Sequence, residues 1–78
     1  MKFSKKGLKE DILKEGMILR MHSGAVESIA DRVVEKTAKW VEKRSTITKT
    51  DLDQKVAKEL EQYSRDLAYV YQNRGKII

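Results

Sequence analysis

Cysteine and proline are both absent from these 78 residues, and histidine, tryptophan and phenylalanine occur once each. Without cysteine there is no disulfide framework and no thiolate metal site. With His22 as the lone histidine, a histidine-rich metal cluster is excluded too. The four glycines are scattered, so no glycine-rich loop cradles a phosphate. No apolar run approaches the roughly 20 residues that a membrane span needs. The opening "MKFSKKGLKED" carries charge with no apolar block behind it, unlike a signal peptide. The expectation is a soluble, cytoplasmic chain, and the lack of cysteine fits a reducing compartment. A chain of this length makes one domain at most and buries only about 60% of its unfolded surface. With disulfides and metals excluded, self-association is the remaining support.

What is present is charge, and its placement is uneven. The net charge is +5. Residues 1–20 hold six basic and three acidic groups, residues 21–50 six and four, and residues 51–78 five of each. The positive excess therefore lies in the first two thirds, where it attracts a polyanion such as nucleic acid or an acidic surface. Lys2, Lys5, Lys6 and Lys9 read either as an ordinary solvated tail or as a non-specific phosphate-binding arm.

Three helices follow from the apolar spacing. The first covers about residues 7–16, with Leu8, Ile12 and Leu13 on one side and Gly16 as the stop. The second is predicted to start from Ser23 as N-cap and to run to about Lys43. Val26, Ala30, Val33, Thr37 and Trp40 form its stripe. The third opens at Thr48, with Asp51 completing a capping-box variant, and continues to about Asn73 without a proline or glycine. Its seam of Val56, Leu60, Tyr63, Leu67 and Val70 is spaced four, three, four, three, a heptad pattern. A helix of that length outreaches the other two, so the seam is expected to be an oligomer interface.

Between the second and third helices stands "KRSTITKTD". Thr46, Ile47 and Thr48 are β-branched and favour extended backbone, which could pair with "ILRM" at 18–21. Arg44 and Asp51 flank the loop and would pin it as a charge-assisted pair. Loop amides and lysines would then face outwards, an arrangement that holds phosphate.

The Arg-x-Thr-x-x-x-x-Asp pattern from Arg44 to Asp51 resembles the second loop of the histone fold, and is most similar to small archaeal and bacterial histones. "ILKEGMILRMHSGA" is similar to that family's first loop and its flanks. Ser45 stands where the family usually has lysine, and the central helix is shorter than usual. The resemblance implies an all-α, histone-like three-helix chain (short, long, long) forming an intertwined dimer or tetramer. Residues 7–74 would be the histone-like domain, 1–6 a basic arm and 75–78 a frayed tail. The two loops of opposite subunits would hold DNA phosphates: Arg20 from the first, Thr46 from the second, with Arg44 as the pinning residue and Lys43 or Lys49 replacing the missing lysine. With Lys5, Lys6 and Lys9 these make the candidate DNA-binding set. The implied role is nucleoid-associated: sequence-independent compaction or bridging of double-stranded DNA, without cofactor, metal or small-molecule substrate.

Other residues have plainer expectations. Trp40 reads as core and otherwise as a base-stacking platform. Tyr63, Tyr69 and Tyr71 read as interface or core, and His22 as a surface or capping residue. No histidine is paired with a serine or cysteine nucleophile, which argues against an enzyme. The alternative function is a helical interaction or oligomerisation module without nucleic acid binding. In one variant of it, "ITKTDLDQKVAKEL" with the later "AYVY" and Arg74 loosely resembles the last helices of the ATP-cone nucleotide-binding regulatory domain, whose N-terminal strands and basic motif have no counterpart here.

Overall fold

The computed structural model describes residues 3–73. Lys2, Arg74 and the expected tail at 75–78 lie outside the described residues. Within them the chain is all-α, with α1 (Lys5–Ile18), α2 (Ser23–Glu42), α3 (Lys49–Glu61) and α4 (Arg65–Gln72).

Helix α1 begins earlier than the apolar spacing suggested because Ser4 caps it, its Oγ accepting from Gly7 N at 3.1 Å. Lys5 and Lys6, expected in a free arm, therefore form the first turn. Gly16 does not stop the helix, which runs on to Ile18. The stop is Arg20 in the left-handed region, at φ 57°. Its N–H bonds Met17 O, and Met21 N–H bonds Gly16 O, both at 3.0 Å. These are the two closing bonds of a Schellman motif, usually built on glycine. Gly16 serves packing instead: it is buried, and it lets α1 approach α2 at Val26.

Helix α2 is capped by His22, not Ser23. The imidazole Nδ1 accepts from Gly24 N at 3.3 Å, and Ser23 is the first helical residue. The expected apolar stripe is borne out for Val26, Ala30, Val33 and Thr37, all buried. Trp40 lies at its edge, half-buried rather than enclosed.

The loop at 43–48 forms no strand, and no strand occurs among the described residues. The expected partner at 18–21 is not an extended segment: Ile18 belongs to α1 and Arg20 is left-handed. The extended backbone that the β-branched run favours is used by Thr48 as N-cap, at φ −90° and ψ 163°. The capping box is present as the sequence indicated, Asp51 N donating to Thr48 Oγ1 at 3.1 Å and Thr48 N to Asp51 Oδ2 at 3.4 Å.

The long third helix of the sequence reading is instead two helices. The chain breaks at 62–64, where Tyr63 N and Ser64 N both donate to Leu60 O at 2.9 and 2.8 Å. Ser64 then caps α4, accepting from Leu67 N at 3.2 Å, with Asp66 in the first turn. The break turns α4 back onto α3 and against α1. The expected oligomer seam is thereby largely consumed within the chain. Val56, Leu60 and Leu67 are 0% exposed in a core shared with Leu8, Ile12, Val33 and Tyr71, Val70 is half-buried, and Tyr63 stays at the edge. Fully burying each such aliphatic side chain contributes about 1.5–3 kcal/mol. No described helix is long and apolar enough to cross a membrane.

Candidate nucleic-acid interface

Helix α2 separates the two loops. Twenty residues at 1.5 Å each put Arg20 roughly 30 Å from the 43–49 loop. Of the sequence-derived set, the structure brings Lys43, Arg44, Thr46 and Lys49 together at one exposed end and leaves Arg20 at the other. Within one chain the two loops form separate patches.

The lysines of α1 are differently engaged. Lys5 Nζ lies 3.8 Å from Glu35, and Lys9 Nζ lies 2.8 Å from Asp31 and 3.8 Å from Glu27, tying α1 to α2. The pairing with Asp31 raises the Lys9 pKa above its ordinary value, partly offset by loss of hydration. Lys6 is exposed. Among the described residues, Lys43, Arg44 and Lys49 have no carboxylate within 4.0 Å.

The expected Arg44–Asp51 pair is not formed. Asp51 turns its carboxylate to the Thr48 amide of its own helix start. Arg44, four residues after Trp40 and so on the same side of the chain, lays its guanidinium over the indole ring at 4.8 Å. The loop is held by the capping box and by the bonds of Lys43 N and Arg44 N to Trp40 O and Val41 O, not by an ion pair.

Beside the loop, Trp40, Arg44, Asp51, Gln54, Lys55 and Lys58 line an open groove of about 200 Å³. The sequence reasoning missed Gln54, Lys55 and Lys58. The available signal was the spacing 51, 54, 55, 58, which sets these side chains along one face of a helix. Lys55 Nζ lies 3.0 Å from the buried Glu59, which Lys36 also approaches at 3.7 Å. Lys58 is exposed and has no ion pair among the described residues. Of the tyrosines, Tyr71 is core, Tyr69 is exposed, and Tyr63 packs its ring 5.9 Å from Lys36 Nζ.

A second groove, about 240 Å³ and mostly apolar, is lined by Leu13, Met17, Met21 and Val26, with Ser23 and Glu27 at its rim. Among the described residues there is no group of acidic, histidine or cysteine side chains that could hold a metal ion. No family model matches this chain, and no curated protein or solved structure matches it either.

Proposed function

We propose that the protein binds double-stranded DNA through its phosphates, without regard to sequence, as a histone-like architectural protein that compacts or bridges DNA as an oligomer. The observation that carries this reading is the cluster of Lys43, Arg44 and Lys49, exposed at the junction of α2 and α3 with no carboxylate of the described residues within ion-pair distance. Thr46 adds a hydroxyl beside them. Cations left unpaired at a helix–loop–helix junction are suited to phosphate oxygens, which fix position and carry no sequence information. Arg20 offers a second contact about one α2 length away, so two patches spaced along one molecule would bridge or track a duplex. A second copy, as the histone resemblance implies, would multiply the patches.

Gel shifts on unrelated duplexes at low and moderate salt test the proposal. Binding should be indifferent to sequence and fall steeply with salt. Lys43→Ala with Lys49→Ala should flatten the log–log salt slope by roughly 2. An absence of binding at low salt overturns the reading.

Two observations favour a helical interaction module as the second reading. Met17 and Ile18 are 76% and 68% exposed next to the apolar groove, a surface that suits a protein partner. In addition, the segment resembling the last helices of the ATP-cone folds as two helices, α3 and α4, not one. A melting temperature raised by ATP, with no duplex binding, would favour this reading over the first.

A further inference from the structure

The geometry points to the groove between α2 and α3 as a site for an unstacked nucleobase of a single-stranded nucleic acid. This inference rests on the reading above that the loop end of the molecule meets a polyanion, and adds which form of nucleic acid the groove takes.

The argument starts from the Trp40–Arg44 stack. The guanidinium carbon lies over the indole, 4.8 Å from the ring centre. Arg44 is exposed and no carboxylate of the described residues lies within 4.0 Å of it, so its N–H donors are left for a ligand. Bases of single strands stack on aromatic rings and on arginine planes alike, so the pair forms a two-part platform. Lys58 lines the same groove and has no ion pair among the described residues, which leaves its ammonium for a flanking phosphate. Gln54 offers both a donor and an acceptor to a base edge, and Asp51 an acceptor.

Size and shape narrow the ligand. At about 200 Å³ the groove is below the roughly 300–1,000 Å³ of pockets that enclose a whole small molecule. One base fits such a space, with the sugar–phosphate chain continuing outside along Lys58 and the loop cations. In a duplex the base faces are covered by their neighbours, and reaching the platform means leaving the stack. The groove therefore favours single strands.

Trp40 is the chain's one tryptophan, so its fluorescence reports on this site. The probes are an oligothymidylate, a blunt duplex of equal length and inorganic polyphosphate, which carries charge without bases. Oligothymidylate should quench Trp40 saturably, and the other two should not. Lys58→Ala, at an exposed position, should keep the parent's melting temperature, and Arg44→Ala, which gives up the contact with Trp40, should lower it by only a few degrees. Arg44→Ala should weaken oligothymidylate binding about tenfold, within the range that loss of one stacking contact produces. Equal quenching by polyphosphate or duplex overturns the inference, because the groove would then respond to charge alone. Oligothymidylate binding that leaves Trp40 unchanged, or that Arg44→Ala does not weaken, overturns it as well. If duplex gel shifts persist beside either result, the single-strand site falls and the duplex reading stands. If no probe binds, both fall.

Discussion

Gly16 of α1 and Val26 of α2 meet so closely that a Cβ on Gly16 would stand 2.5 Å from Val26 Cγ1 and 2.6 Å from Cγ2. Val26 is itself buried, and rotating it about χ1 exchanges one methyl for another. Gly16→Ala would gain up to about 1 kcal/mol in helix propensity. The overpacking costs about 1–3 kcal/mol and should win. The expected outcome is a net loss of about 1 kcal/mol in urea unfolding. Adding Val26→Ala should relieve the clash, with a favourable coupling above about 0.5 kcal/mol. Strict additivity would show that the close approach is not there.

Arg20 terminates α1 at φ 57°, where a side chain costs about 1–2 kcal/mol relative to glycine. Arg20→Gly should therefore raise the melting temperature. If Arg20 also contacts phosphate, the same variant should bind duplex DNA more weakly, so stability and affinity move in opposite directions. A stabilised variant with parental affinity would remove Arg20 from the interface.

Arg44 and Asp51 act separately. Arg44→Ala removes a cation–π contact at an exposed site, about 0.5–1 kcal/mol at most. Asp51→Ala removes half of the α3 capping box, about 1 kcal/mol. Since no ion pair joins them, a double-mutant cycle should give a coupling energy below about 0.5 kcal/mol. A coupling well above that would restore the pinned loop.

Thr37 is fully buried on α2, and its Oγ1 has no hydrogen-bond partner among the described residues. An unsatisfied buried hydroxyl costs about 1–3 kcal/mol. Thr37→Val keeps the shape and removes the hydroxyl, and should stabilise by about 1 kcal/mol in urea unfolding. A destabilised variant would mean that the hydroxyl has a partner.

Local signals were legible in the sequence where neighbouring residues decide the outcome. The Thr48–Asp51 capping box and the buried stripe of α2 depend on groups within a few positions of one another, whereas the α2 cap falls one residue before the expected Ser23, on His22. Signals that need knowledge of what lies opposite were misread. Gly16 looked like a helix stop, yet its missing side chain serves the contact with Val26. In the candidate interface, Lys43, Arg44, Thr46 and Lys49 lie within seven consecutive residues at the α2–α3 junction and could be grouped by sequence alone. The spacing of Gln54, Lys55 and Lys58 sets them on one face of α3, but only the packing of that face beside Trp40 and Arg44 joins them to the candidate interface.

The chain's own order of residues determined that it is helical, where α3 starts, which face of α2 is apolar and that positive charge gathers before residue 50. Only the tertiary structure decided that the spacing from Val56 to Val70 belongs to a turn back into the chain's own core. A heptad stripe records that a face is buried, not whether a partner or the same chain buries it. The turn at Ser64 settled where Val56, Leu60 and Leu67 go, and packing around Trp40 settled that Arg44 faces an aromatic ring and not Asp51.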